Sequence, residues 1–303
     1  MDTLDTMPVL AADAPATLSV VPLGAAQSIG GSCFALVFSS AINTSEGRTS
    51  TSNPTVFLLD FGIAWSVAKR MYCPPDLSPL HELAIDVKHI QAVIITHFHS
   101  DHCGGVPALR DTVGYRGLVA MTPPTATAAA DVLASIPGPG RPALYTPASI
   151  SKALASTTPL SLTQPLQGVT EEGEPWSVRC WPAGHVPGAV MVCIEFRGLR
   201  AVYSGDYSMS PGIGRMVPPA QIPAGIAPRV FITETTYITT ARAPRILRDR
   251  ELLRSIREAV ACGGSVLIPV WSASTAHELL HLVSQALSLA SCTVPIYMSG
   301  GST

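Results

Sequence analysis

Four side chains able to ligate a transition metal fall within six residues of one another: His97, His99, Asp101 and His102, in the run THFHSDHCGG at 96–105. The whole chain has eight histidines in 303 residues, so this density is far above chance. In an extended segment alternate residues point the same way, so His97 and His99 can grip one ion. Asp101 and His102, one step beyond, can turn toward a second. Imidazole with carboxylate suits Zn²⁺, with manganese or iron as alternatives. Two such ions lower the pKa of a shared water and clamp a phosphate for in-line displacement, which is hydrolytic chemistry. His185 in AGHVPGA and Asp206 in YSGDYS are candidates for the same centre, as a further donor and a bridging carboxylate. Either one alone reads as a turn residue; the ordered set gives them weight.

The elements that must position these groups follow from hydrophobic runs and turn residues. The stretches 18–23 (LSVVPL) and 33–38 (CFALVF) read as strands, and the Ser/Thr/Asn-rich stretch 39–54 as a long surface hairpin loop. Residues 56–60 (VFLLD) form a buried strand ending in a carboxylate, and 92–96 (AVIIT) one that runs straight into the histidine cluster. Strands are expected at 177–181 and 190–196, around His185. Others are expected at 200–204 and 229–233, each ending near an acidic residue. The Ala- and Pro-rich stretch 122–165 reads as a helix broken by loops. Residues 246–261 have helical spacing with Gly263 beyond their end, 265–270 read as a strand, and 274–289 as a helix. The expected class is α/β, with metal-type ligands on loops at one rim of the strands.

Composition narrows the function classes. Apolar residues make up 47% and charged residues 13% of the chain, which excludes a disordered or solvating polymer. Lys and Arg number 19 against 21 Asp and Glu, which excludes nucleic-acid binding through bulk positive charge but leaves room for a local basic groove. No run approaches the roughly 18 apolar residues of a membrane span, so no membrane partner is expected. The seven cysteines lack a CxxC pair or an even framework, and the first 16 residues lack the pattern of a signal peptide. A reducing compartment, cytosol or nucleus, is the expectation.

The HxHxDH segment, the later Gly-His and Gly-Asp pairs and the strand-end Asp60 resemble the metallo-β-lactamase fold. TETTY at 233–237 and GGSVLIPVWSASTAHEL at 263–279 are similar to motifs of its β-CASP nuclease group. VPLGAAQSIGGSC, AGHVPGAVM and SGDYSMSP are most similar to endonuclease subunits of RNA 3′-end processing assemblies, the Integrator type ahead of the mRNA-cleavage type. The resemblance covers roughly residues 17–303. It implies an αββα sandwich over 17–237, after a loose tail at 1–16, and the start of a β-CASP cap over 238–303. It implies two Zn²⁺: one held by His97, His99 and His185, the other by Asp101 and His102, with Asp206 bridging both. Asp101, Asp206, Glu234 and Asp60 are its implied catalytic groups, Asp60 bracing the site and Glu234 orienting groups around the metals. The implied partners are RNA and other subunits of a nuclear complex, among them a paralogous β-CASP subunit.

Departures from the family pattern carry their own expectations. Two further histidines, one a general acid and one completing the second zinc, would fall beyond Thr303. The chain is therefore expected to be a fragment with an incomplete second site. His277 and His281 do not match those positions and read as helix-face residues. Ser274-Thr275 replaces a Gly-Arg pair, Gly31 an arginine, and GIGRM an Asp-Arg-His-Leu run, each removing positive charge near the cleft. Arg242, Arg245 and Arg248 could line an RNA path, although a solvated helix start is the plainer reading. A small-molecule hydrolase and a non-catalytic scaffold are the competing function classes. TETTY and its following strand–helix unit count against the first, and the complete set of six ligands in this span against the second.

Overall fold

The structure is a computed structural model that describes residues 16–26, 28–43, 49–51, 53–136, 144–210, 217–270, 273–289 and 294–298. A first sheet is built from β1 (Ala16–Gly24), β2 (Cys33–Asn43), β3 (Thr49–Thr51) and β4 (Thr55–Leu59). A small hairpin, β5 (Ala64–Ser66) with β6 (Met71–Cys73), and helix α1 (Ser78–Glu82) come next. The first sheet resumes with β7 (Ile90–Ile94), β8 (Leu118–Met121) and β9 (Thr157–Pro159). Its order is β1-β2-β4-β7-β8-β9, with β3 on β2; β1, β2 and β4 are antiparallel, and β4, β7, β8 and β9 are parallel. The second sheet, in sequential order, is β10 (Leu166–Val169), β11 (Pro175–Pro182), β12 (Val190–Phe196), β13 (Leu199–Tyr203) and β14 (Val230–Ile232).

The parallel crossovers of the first sheet carry α2 (Ser100–Cys103), α3 (Val106–Asp111), α4 (Pro123–Ser135) and α5 (Pro147–Ala155). Strand β4 shows why its sequence is apolar throughout. Its side chains alternate between faces, with Val56 and Leu58 in the core under the helices and Phe57 and Leu59 in the core between the sheets. Between the sheets, Leu36, Phe38, Phe57 and Ile94 meet Trp176, Val192, Ile194 and Phe196. Phe38 packs edge-on to Phe57 at 5.9 Å and to Phe196 at 5.4 Å between ring centroids, and Phe57 to Trp176 at 5.4 Å. This interlock fixes the two sheets against each other, and with them the loops at their rims. Helices α6 (Arg245–Ala261) and α7 (Ala273–Leu289) pack on one another through Leu253, Ile256, Leu282, Val283 and Leu287.

Two local expectations change. The stretch 39–54 is not all loop: β2 continues to Asn43 and β3 pairs back onto it. Residues 265–270 form no strand, although their composition is that of one; Leu267 is 93% exposed and Val266 43%. An apolar run becomes a strand only when its N–H and C=O groups find a pairing edge, and among the described residues this run has none. The broken helix of 122–165 is α4, α5 and the edge strand β9. The tail at 1–15, GIGRM at 212–216, Cys292 and the side chains of Ser274 and Thr275 lie outside the described residues. No helix is long and apolar enough to cross a membrane among the described residues.

Candidate metal centre

The centre lies where strands end. Asp60 follows β4, the histidine run follows β7, Asp206 follows β13 and Glu234 follows β14. Loops at the carboxyl ends of strands are held by the sheet yet free to carry polar groups. His185 comes from the turn between β11 and β12, which is closed by Ala183 N–H donating to the Ala189 carbonyl at 2.9 Å. Two glycines deliver these last ligand candidates. Gly184 has φ +68° and a Cβ there would sit 2.3 Å from the Ser208 carbonyl oxygen. Gly205 has φ +52° and a Cβ would lie 2.7 Å from Thr96 Oγ1. Any side chain at either position would push His185 or Asp206 out of place.

Four groups converge: His97, His99, His185 and Asp206 present ligand atoms all within 4.8 Å of one another. His97 Nε2 and His185 Nε2 each lie 3.1 Å from His99 Nδ1. Donors about 2.0–2.1 Å from a tetrahedral zinc are spaced about 3.3 Å apart, so these nitrogens already have nearly the spacing the ion requires. Asp206 Oδ2 is 3.6 Å from His185 Nε2 and 3.9 Å from His97 Nε2. Its other oxygen, Oδ1, is 3.3 Å from His102 Nε2, which in turn lies 3.6 Å from Asp101 Oδ2. One carboxylate thus faces two sets of donors, one with each oxygen. The donor set fits divalent metal, and His97, His99, His185, Asp206, Asp101 and His102 are the residues that would hold it.

Asp60 does not reach the converging atoms; it acts from behind them. It is fully buried and adopts φ +60°, a left-handed conformation that Asp tolerates better than most residues. Its carboxylate accepts from Thr96 N–H at 2.7 Å, the Thr96 hydroxyl at 2.9 Å, His102 Nδ1 at 2.7 Å and the Tyr203 hydroxyl at 2.8 Å. A hydroxyl has one proton, and Thr96 gives its own to Asp60. His97 Nδ1, 3.1 Å from that oxygen, must therefore be the donor in their contact. The Nε2 lone pair of His97 is left facing the centre. His102, donating from Nδ1, likewise points Nε2 at Asp101 and Asp206. One buried carboxylate therefore sets the tautomer of a histidine in each donor set.

The backbone reinforces this arrangement. Ser32 N–H donates to the Asp101 carbonyl at 2.7 Å, Phe61 N–H to that of His102 at 2.8 Å, and Ile63 N–H to that of Ser100 at 3.0 Å. The loop after β4 is thus laced to α2. Glu234 sits beside the centre and braces the Asp206 turn. It accepts from Tyr207 N–H at 3.0 Å and from the Thr236 hydroxyl at 2.5 Å. Thr96 and Tyr203 are functional neighbours that sequence reasoning did not single out. Their positions, immediately before HxH and in the strand leading to Gly-Asp, are the only signal.

Electrostatics in the metal-free state divide the histidines. Burial, followed by the charges of His102, His99 and His185, pushes His97 well below the ordinary histidine value. Burial also lowers His99. His102 goes the other way: burial opposes its charge, but Asp60 and then Asp206 outweigh that and hold it well above the ordinary value. A lowered pair costs stability as pH falls below about 6.5, because the unfolded chain then binds more protons. The raised His102 contributes stability that is full below about 6.5 and is lost as pH rises through its folded value. The contribution of these histidines to metal-free stability is expected to peak near pH 6.5. Metal must displace the Nε2 proton of His102, so zinc should remove the loss on the alkaline side. Thermal unfolding from pH 5 to 9, with chelator and with zinc, checks this; the same pH profile in both would contradict it.

The cleft over the centre has a volume of about 960 Å³ and is lined by His99, His185, Asp206 and Glu234, and also by Tyr237, Arg242, Arg245 and Arg248. His277 and His281 are exposed on α7 and do not line it.

Comparison with known proteins adds ancestry to this geometry. The profile of the Metallo-beta-lactamase superfamily matches residues 52–251. Integrator complex subunit 11 of Danio rerio is 34% identical over 293 residues, covering 94% of this chain and 45% of that protein. Cleavage and polyadenylation specificity factor subunit 3-II of Arabidopsis thaliana is 31% identical, covering 93% of this chain and 43% of its own length. Endoribonuclease YSH1 of Gibberella zeae is 30% identical over 217 residues, 66% of this chain and 24% of that protein. The chain thus spans less than half the length of these relatives.

Proposed function

The chain belongs to the metallo-beta-lactamase superfamily, and from that membership we propose that it is the metal-binding part of a zinc-dependent RNA endonuclease of nuclear RNA 3′-end processing, of the Integrator type. The observation that carries the reading is Asp206, whose two oxygens face two separate sets of donors. Relatives with the printed names Integrator complex subunit 11 and Endoribonuclease YSH1 support phosphodiester hydrolysis over other chemistry of the fold. On this reading residues 17–237 form the hydrolase domain and 238–303 part of a cap. The partners are RNA and other subunits of a processing complex, including a paralogous one.

Two zinc ions, when bound, lower the pKa of a water and neutralise the charge that develops on a phosphate. The chain's own residues supply the rest. His97, His99 and His185 with Asp206 offer one site, and Asp101 and His102 with Asp206 the other. The second has fewer protein donors among the described residues and is the weaker. Asp60, through Thr96 and directly, keeps the lone pairs of His97 and His102 aimed at the ions. Glu234 holds the Asp206–Tyr207 backbone in place, so the bridging carboxylate cannot swing away.

Product ends test the reaction. Hydrolysis by water leaves the RNA 2′-hydroxyl unused, so the zinc-loaded chain should cut single-stranded RNA internally without forming a 2′,3′-cyclic phosphate. Cyclic-phosphate ends, or turnover of small esters with RNA left intact, would overturn the proposal.

A further inference from the structure

Among the described residues, the cleft has two cations that no carboxylate answers. Three of the chain's 19 basic residues, Arg242, Arg245 and Arg248, fall within seven positions and line the same cleft as His99, His185 and Asp206. The chain as a whole is slightly acidic, so this concentration is local. Arg245 is pinned, with Nη2 3.0 Å from Glu278 Oε2 and Nε 3.6 Å from Asp249 Oδ1. Arg242 and Arg248 have no carboxylate at ion-pair distance among the described residues. The guanidinium carbon of Arg242 lies 3.4 Å from the centroid of the Tyr237 ring, and Tyr237 is 54% exposed. That stack holds the guanidinium flat and leaves its N–H edge for a ligand. Arg248 donates from Nε to the Ala243 carbonyl at 3.1 Å, which fixes its plane and leaves its terminal amino groups uncommitted.

We propose that Arg242 and Arg248 form a backbone clamp that binds phosphates of a single-stranded RNA neighbouring the one being cut. Arg245 is the strut that holds their segment in place, and Tyr237 the platform that orients Arg242. The inference rests on the RNA-hydrolase reading above and gives that site its means of holding a strand. Metal held by the centre would neutralise the scissile phosphate, so two further cations in the same cleft answer neighbouring phosphates. A volume of about 960 Å³ is at the upper limit of ordinary small-ligand pockets and leaves room for more than one phosphodiester. Planar arginine forks match phosphate oxygens and do not discriminate bases, so the clamp gives affinity without sequence preference.

The test measures binding of a labelled ten-nucleotide single-stranded RNA at a series of KCl concentrations, with a chelator present so that nothing is cut. Each phosphate contact on a single strand contributes about 0.7 to the slope of log affinity against log salt. Arg242→Gln and Arg248→Gln should each lower the slope by about 0.7, and the double variant by about 1.4. Arg254→Gln removes the same charge from α6 at a side chain engaged by Glu251 and Glu258, and should leave the slope unchanged. A double variant with the wild-type slope overturns the clamp while leaving the hydrolase reading intact. Wild-type protein without salt-dependent RNA binding overturns both.

Discussion

Replacing Asp206 with Ala is expected to weaken metal binding at both donor sets together and, on the proposed function, to lower the rate of RNA hydrolysis by on the order of a hundredfold to a thousandfold. Among the described residues, no other side chain in the centre presents one oxygen to each set, 3.6 Å from His185 Nε2 and 3.3 Å from His102 Nε2. Burial opposes its ionisation. The hydrogen bond from His102, followed by the charges of His102, His185 and His99, nevertheless holds its pKa below the ordinary carboxylate value. It is therefore a carboxylate at any pH where the histidines can bind metal. The fold should tolerate its loss, because the side chain is 30% exposed and packs in neither sheet core. The chelator-treated variant should melt within a few degrees of the parent while its zinc affinity collapses. A variant that keeps two metals would show that Asp206 faces the ions without holding them.

Asp60→Ala should do the opposite and break the fold first. Removing this buried carboxylate strands the Thr96 amide and hydroxyl, His102 Nδ1 and the Tyr203 hydroxyl, all currently donating to it. Removing one partner of a buried charge pair costs about 3–5 kcal/mol, the range expected here. At about 2–4 °C per kcal/mol, the melting temperature should fall by roughly 10 °C. Asp60→Asn separates backbone from charge. Asn also tolerates the left-handed conformation at φ +60°, so strain is not the issue. The Thr96 hydroxyl, His102 Nδ1 and the Tyr203 hydroxyl all converge on Oδ2, while Thr96 N–H donates to Oδ1. An Asn keeps one uncharged oxygen with two lone pairs for those three donors and turns its NH2 onto the Thr96 N–H, so its hold on the tautomers of His97 and His102 weakens. The Asn variant should lose less stability than the Ala variant, yet still bind zinc with about 10–100-fold lower affinity. Equal zinc affinity in parent and Asn variant would refute the relay from Asp60 to the two histidines.

Much of this site was legible in the sequence because its ligands are local. His97, His99, Asp101 and His102 sit within six residues, after a strand whose apolar run is unmistakable. The strand ends at 60, 206 and 234 were readable for the same reason. Every residue of β4 is buried and β13 ends in three buried residues, so each following polar residue marks a rim. What stayed hidden is long-range. Tyr203 donates to Asp60 across 143 positions and Thr96 across 36, and no local pattern distinguishes such a partner from an ordinary strand residue. Residues 265–270 mislead in the opposite direction, because apolar β-branched composition reports a preference for pairing and not the presence of a partner strand. Arg242 and Arg248 illustrate a third limit. A basic helix start reads as solvated until the turn after β14 brings it to the wall of the cleft.

On the proposed function, His97, His99, His185 and Asp206 form one metal site and share Asp206 with a second, weaker one. The most direct test is a competition titration of zinc into chelator-treated protein. One tightly bound zinc per chain is expected, and a second, weaker one whose affinity rises with pH as His102 gives up its proton. A chain that binds no zinc above background, or whose zinc survives replacement of His99 and His185 together, would contradict it.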